Sequence, residues 1–529
     1  MNGAEISQPW WKGAIGYEVY VRSFSDANGD GVGDLKGVAD RLDHIADLGA
    51  DVIWLTPFYP SPMVDMGYDV SDYCGVDPLF GSLEDFDELI EAVRSHSLRL
   101  VIDLVPNHCS NRHVWFQAAI ADPQGPYRDY FIWRDPGPDG GPPNNWVGYF
   151  GGSAWSLDPA SGQYYLHLFL PEQPDLNWRN PAVVDEFDEI IRFWLDRGVD
   201  GFRVDVAQAL VKDLELRDNP QVAPWVPDAT RWEQWEAFEH RYDVNQIESL
   251  DLFARWRQIA AEYDAVIIGE TYVLEPETLA QMLRGDGLDL GFWFKPMSID
   301  IAAEEIREAL RGPIEAVADP SMISFVISSH DEPRPPTRFG GGDLGRRRAL
   351  MLSTLLFCLP GVPFLYQGEE LGLVDGIVAE DRRADPVGAD VSLSRDGCRT
   401  PIPWEPGVSF GFSASEVTWL PDGGRTDADT AKAQRSDDRS WLARYRALVA
   451  LRRREPELVD GPVVWLDHDN PALVAFRRGT VVVVANTGDD RGAVGWSGDV
   501  LYSTVGLGGS VSSSTELEPA STIVIRISN

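Results

Sequence analysis

Apolar positions along this chain keep changing their period. Val184, Phe187, Ile191, Trp194 and Leu195 recur at helical spacing, and GFRVDVA (201–207) soon follows as an apolar run. The first pattern predicts an amphipathic helix, the second a strand covered on both faces. Asn180 suits the N-cap, Pro181 the first helical position, where its missing N–H does no harm, and Gly198 the stop. The same order of helix, polar turn and strand runs from Val38 to DVIWLTP (51–57) and from Phe86 to RLVIDLVP (99–106). It recurs from Leu252 to AVIIGE (265–270) and from Arg346 to GVPFLYQG (361–368). With AIGYEVYV (14–21), the stretch at LDLGFWF (288–294) and ISFVISS (323–329), eight strands are expected.

Strands that alternate with helices pair in parallel through right-handed crossovers. Eight such units predict an α/β fold built on a closed (β/α)8 TIM barrel. An open doubly wound sheet is the alternative, set aside because no Gly-rich phosphate loop follows the first strand. Two regions break the pattern. Residues 107–178 are rich in Pro, Gly, Asn and aromatics, long enough for an inserted subdomain after strand 3. After about residue 455 the helices stop, and VVWLDHD, ALVAFRR, GTVVVVANT and STIVIRIS alternate with polar turns, as in an antiparallel β-sandwich. The expected layout is a barrel over 1–106 and 179–454, an insertion over 107–178 and a terminal β-domain over 455–529.

At 529 residues and 44% apolar content the chain suits two or three domains with an ordinary core. Its 45 basic and 84 acidic residues give a net charge of −39. That argues against nucleic acid or an anionic membrane as partner and for a solubility or salt-adapted surface. Four dispersed cysteines indicate neither a zinc site nor a disulfide framework. MNGAEISQPWWKG lacks a basic region followed by an apolar core, so no signal peptide is expected. The longest apolar run, 350–366, is broken at Pro360-Gly361 and reads as a buried helix followed by a strand. A soluble cytoplasmic protein is the expectation.

Three carboxylates change this picture, because each falls where an apolar strand runs out: Asp205, Glu270 and Asp331. In a parallel barrel these ends converge on one mouth, where chemistry sits. Arg203 and Asp205 are two apart on one strand and share a face, so the arginine is expected to hold the aspartate ionised. Glu270 emerges from apolar surroundings that favour a proton-carrying acid. An ionised nucleophile beside a protonated acid is the two-carboxylate arrangement of glycoside hydrolysis. His108, in DLVPNH, and His330, in SHD, offer imidazoles without the spacing of a zinc site. Tyr68 offers a flat platform for a sugar ring and Asp69 an acceptor for hydroxyls. In DANGDGVGD (26–34), Asp26, Asn28, Asp30, the Val32 carbonyl and Asp34 place oxygens at alternate positions, and Gly31 permits the turn. That spacing suits Ca²⁺, with Mg²⁺ second.

GYDVSDY, DLVPNH, GFRVDVA, the Glu270 strand and SHD, in this order, resemble the signature regions of the α-amylase superfamily, glycoside hydrolase family 13, from about Trp11 to the C-terminus. QPDLNW (173–178), YQGEELGL (366–373) and CRTPIPW (398–404) are similar to its exo-acting α-glucosidase and oligo-1,6-glucosidase branch. The resemblance implies that Asp205 is the nucleophile, Glu270 the acid and base, and Asp331 the grip on the reacting ring. It implies further sugar contacts from Asp69, His108, Gln173, Arg203, His330 and Arg399, stacking by Tyr68, and a cation in the 26–34 loop. Ser329 departs from the Asn usual before the last His-Asp. Val206 after the nucleophile accompanies α-1,6 activity in similar enzymes. Two rivals are a transferring or isomerising enzyme active on sucrose or trehalose, and a non-catalytic relative. The second would have lost the carboxylates this chain keeps.

Overall fold

The computed structural model describes residues 8–385 and 394–527. Eight strands form one parallel sheet: β1 (Gly16–Val19), β2 (Val52–Leu55), β3 (Arg99–Leu104), β4 (Gly201–Val204), β5 (Val266–Gly269), β6 (Leu290–Trp293), β7 (Ile323–Phe325) and β8 (Phe364–Tyr366). Their order is β7-β6-β5-β4-β3-β2-β1-β8. Between the two ends, the Val362 N–H donates to the Ile323 carbonyl at 2.9 Å, so the sheet curls into a near-closed barrel. All eight expected strands are present. Each is shorter than its apolar run, because the runs continue into turns at the rims. Strands β4 and β5 are buried along their whole length, which accounts for the unbroken apolar pattern.

The helix before β4 spans Pro181–Arg197. Asn180 caps it by accepting the Ala182 N–H, and Gly198 ends it at φ 102°. A side chain there would meet the left-handed penalty of about 1–2 kcal/mol. Phe187, Ile191, Trp194 and Leu195 are its buried face. The 350–366 run divides as expected into the end of helix Gly342–Phe357, a turn through Gly361 (φ 97°) and strand β8.

Within 107–178 lies a three-stranded sheet of Trp133–Arg134, Tyr164–Leu166 and Trp155–Leu157. Beyond residue 460 a six-stranded sheet, antiparallel throughout, includes Leu473–Arg478, Val481–Asn486 and Ser521–Arg526. Its period-two alternation serves two cores. Val481, Val483 and Ala485 join the large barrel cluster, while Val482 and Val484 pack with Ile523 and Ile525.

The long connection from β4 to β5 was not expected to be irregular. Between Leu210 and the helix that begins at Ser249 only one short helix, Arg231–Glu236, forms, opened by a Thr230/Glu233 capping box. This connection packs on the insertion. Val206, Ala209, Leu216 and Val244 share an apolar cluster with Trp146, Trp155, Leu166 and Leu168, and Trp235 stacks on Tyr149 at 4.0 Å.

Candidate active site

Parallel register sets Asp103 of β3 beside Arg203 of β4. Arg203 Nη1 donates to Asp103 Oδ1 and Asp205 Oδ1, both at 2.6 Å, and Nη2 lies 2.9 Å from Glu270 Oε2. One guanidinium thus ties together acids from three neighbouring strands. Directly after Asp205 the chain turns through Val206, which is left-handed at φ 47° and ψ 43°, and its N–H reaches Glu270 Oε2 at 2.8 Å. For a β-branched residue such a backbone stores strain of about 1–3 kcal/mol.

The charge balance of this group overturns one expectation. Burial pushes the Asp205 carboxyl well above the usual carboxylate range, Arg203 opposing and Glu270 and Asp103 reinforcing it. Burial likewise raises Asp103, to about 6, against the pull of Arg203. Arg203 therefore does not by itself keep Asp205 ionised, because its one guanidinium is divided among three carboxylates.

Asp331 stands beyond β7 in a different environment. Its Oδ1 accepts from Arg399 Nη2 at 2.8 Å and Arg395 Nη1 at 3.1 Å, and Oδ2 lies 3.2 Å from His330 Nε2. Burial works against its ionisation, but the guanidiniums of Arg395, Arg399 and Arg203, beside the contact from His330, outweigh that and hold its carboxyl well below the usual range. Its side chain is still 38% exposed, toward the cavity it borders. His330 is itself pushed down by burial, to about 3, and is a neutral imidazole. Its Nδ1 sits 2.5 Å from Glu18 Oε1 on β1, whose carboxyl burial raises well above its usual range. Ser329, the departure from the family pattern, accepts the Asp331 N–H at 3.2 Å.

These groups open onto one cavity, bordered by Asp205, Glu270, Asp331, Tyr68 and His108 among the residues expected from sequence. Arg203, His330, Arg399 and Gln173 stand behind that surface and hold it. Gln173 donates to Asp65 Oδ2 at 3.1 Å and lies 3.0 Å from His108 Nε2. Burial pushes His108 down, so it too is neutral.

Asp69 does not reach the cavity. Wholly buried, it accepts the Ser61 hydroxyl at 2.8 Å and the Val64 and Asp65 N–H groups at 3.0 and 3.1 Å, closing its own loop. The carboxylate on the cavity surface is Asp65, paired with Arg395 at 2.9 Å. Asp65, Asp103, Glu18 and Arg395 were missed in the sequence. Glu18 and Asp103 had a signal, an acid in the middle of an apolar strand. Arg395, four residues before Arg399, had none. The cavity rim also carries Tyr149, Phe150 and Phe169 from the insertion, Arg231 and Trp232 from the β4–β5 connection, and Tyr272 and Glu332.

The 26–34 loop lies apart from this cavity. Asp26 Oδ1 and Oδ2 accept the Gly29 and Gly31 N–H groups at 2.7 Å each, Asn28 Oδ1 that of Asp30 and Asp30 Oδ1 that of Val32. Asp34 caps helix Leu35–Ala39 through the Gly37 N–H. The side-chain oxygens of Asp26, Asn28, Asp30 and Asp34 accept backbone N–H groups of the loop and of the helix that follows it, and Asp26 also accepts the Ser413 hydroxyl; among the described residues no three His, Cys, Asp or Glu side chains gather to hold a metal.

A near-closed parallel barrel with carboxylates at its strand ends, facing a cavity lined by aromatic rings and charged groups, is the arrangement that glycoside hydrolysis uses. Residues 18–461 match the family described as alpha amylase, catalytic domain. The chain belongs to that family, glycoside hydrolase family 13. It is 40% identical over 486 residues to a probable alpha-glucosidase of Rhizobium meliloti (strain 1021), covering 90% of this chain and 88% of that one. An oligo-1,6-glucosidase of Parageobacillus thermoglucosidasius is 33% identical over 543 residues, covering 94% of each. The crystal structure of an alpha-glucosyl transfer enzyme, XgtA, superposes with a TM-score of 0.89 at 38% identity, over 98% of this chain and 100% of that one. Among the described residues no helix is long and apolar enough to cross a membrane.

Proposed function

We infer that this enzyme is a retaining α-glucosidase that releases α-glucose from the non-reducing end of short α-glucosides. The observation that carries the reading is the Arg203 bridge, which holds Asp205 and Glu270 on adjacent strands at one cavity wall. Double displacement assigns Asp205 the role of attacking carboxylate and Glu270 that of proton donor. Asp205 Oδ attacks the anomeric carbon as the glycosidic C–O bond breaks, and Glu270 gives its proton to the departing oxygen. The carboxylate of Glu270 then takes a proton from water, whose oxygen displaces Asp205 and leaves the product in the α configuration. Asp331, held ionised by Arg395 and Arg399, Asp65 and the neutral His108 supply acceptors and donors to the ring hydroxyls, and Tyr68 supplies a flat surface.

Two inversions make one retention. Proton NMR of the sugar freshly released from maltose or isomaltose is expected to display α-glucose first, and initial β-glucose would overturn double displacement. Similarity to an α-glucosyl transfer enzyme favours a second reading, in which a sugar hydroxyl replaces water in the second step; glucosyl disaccharides and trisaccharides among the products would reveal it. Val206 supports preference for α-1,6 links. The Asp26, Asn28, Asp30, Val32 and Asp34 oxygens are the proposed holders of a structural Ca²⁺, or Mg²⁺, that would brace the loop without taking part in the reaction. The charge and the apolar pattern support a cytoplasmic location.

A further inference from the structure

We propose that Glu18 is a positioning residue: its carboxylic acid donates to Nδ1 of His330 and fixes that ring as an N–H donor at Nε2, steadying Asp331 and Tyr68 for the reacting sugar. This rests on the α-glucosidase reading above and deepens it.

Glu18 lies buried on β1, in register with Trp54 of β2 and Tyr366 of β8. Among the described residues His330 is the one basic side chain within ion-pair distance of it. A carboxylate shut in without a guanidinium or ammonium is costly, whereas a carboxylic acid that gives its proton to an acceptor is not. The acceptor at hand is His330 Nδ1, 2.5 Å from Glu18 Oε1.

The far side of the ring requires the same tautomer. A neutral imidazole carries one proton, on Nδ1 or on Nε2. Nε2 has two neighbours, Tyr68 Oη at 2.8 Å and Asp331 Oδ2 at 3.2 Å. Asp331 is an ionised acceptor, so a bare Nε2 would set lone pair against lone pair. Tyr68 has one hydroxyl proton, which Asp103 Oδ2 takes at 3.2 Å, and its oxygen is left to accept from Nε2. Nε2 therefore bears the proton, Nδ1 is bare, and Glu18 supplies the donor. Burial divides the protons the same way. It pushes Glu18 up, with Asp331 and Asp103 reinforcing and Arg203 opposing, and it pushes His330 down.

A chain of donors with one direction results: Glu18 to His330, His330 to Tyr68 and Asp331, Tyr68 to Asp103. Asp103 is held in turn by Arg203, the guanidinium that joins Asp205 and Glu270. Tyr20 stacks on the imidazole at 5.6 Å and 17° from parallel. Stacking fixes the plane of the ring but not which edge faces inward. Glu18 settles the edge.

The test joins nitrogen NMR of histidine-labelled enzyme, taken without substrate, to the kinetics of two variants. His330→Gln identifies the His330 signals. In wild type and in Glu18→Gln they are expected to show a proton on Nε2 and a bare Nδ1, because an amide N–H donates to Nδ1 as the acid does. Glu18→Gln should keep kcat/KM on maltose or isomaltose within about threefold of wild type, and Glu18→Leu, which has no donor, should lose about tenfold or more. A proton on Nδ1 in wild type would mean that Glu18 is an ionised acceptor and would overturn the inference. A loss of about tenfold or more in Glu18→Gln would overturn it too, since the charge of the carboxylate would then be what matters. Wild-type enzyme active on no α-glucoside would overturn the α-glucosidase reading instead, while the NMR still decided the state of Glu18.

Discussion

Asp65 and Asp69 sit four residues apart and carry opposite expectations, which makes them a sharp test. Asp69→Ala removes the acceptor of two backbone N–H groups, Val64 and Asp65, and of the Ser61 hydroxyl, all buried or half-buried. The hydroxyl can turn elsewhere, but the two backbone donors cannot. At about 1–3 kcal/mol for each buried donor left unmet, the loss of stability is about 2–6 kcal/mol. Asp69→Asn keeps one acceptor oxygen and turns an NH₂ toward a former donor, so about 1.5–3 kcal/mol is expected, the worth of one charged hydrogen bond. Asp65→Asn instead weakens a group on the cavity wall, leaving Arg395 and Gln173 with a poorer partner. Its kcat/KM should fall by about 10–150-fold. Urea denaturation followed by tryptophan fluorescence, with kcat/KM measured at 25 °C, separates the two. Asp69→Asn should lose stability and keep most activity while folded. If it kept wild-type stability and lost activity a hundredfold, its carboxylate would face substrate and the structural assignment would be wrong.

Glu270→Gln should lose most of its rate on disaccharides and much less on an activated aryl α-glucoside, whose leaving group needs no proton, while Asp205→Asn should abolish both. Full activity of Glu270→Gln on maltose would dismiss Glu270 as the acid. Added Ca²⁺ or Mg²⁺ should raise the thermal midpoint and a chelator lower it, because an ion held by the 26–34 loop binds only the folded chain; superimposable melts would leave the loop a plain turn. Asp103 carries a pH signature: its folded pKa is raised to about 6. The folded state then binds the proton that the unfolded state has already released, so the stability of wild type relative to Asp103→Asn should improve as pH falls from 7 to about 4. A difference that worsened over that range would contradict the burial of an acid outnumbering its cation.

What the sequence made legible was what period and local chemistry alone determine. Strand ends announced Asp205, Glu270 and Asp331, and the Asn180–Gly198 signals bounded a helix to the residue. Asp69 was mistaken because spacing cannot tell which of two nearby acids a tight loop turns inward; that depends on which backbone N–H groups need an acceptor. Arg395 and the Arg231–Glu236 helix lie in segments with no apolar period, and tertiary packing alone brings them to the cavity. Expecting Arg203 to fix the charge of Asp205 failed for a related reason. The pair two apart on one strand was visible, but the competing acid on β3 is a neighbour only through strand pairing.

The Glu18–His330 contact joins residues 312 apart in sequence, and β1 pairs on its other side with β8. During synthesis at about 5–20 residues per second, β1 therefore waits about 15–60 s between its own emergence and that of the loop carrying His330. Throughout that interval one edge of the growing sheet is open, with Glu18 presented at it and no imidazole to receive it. The buried acid that steadies the finished site also keeps the unfinished sheet hydrated at its first strand, discouraging that edge from pairing with another nascent chain.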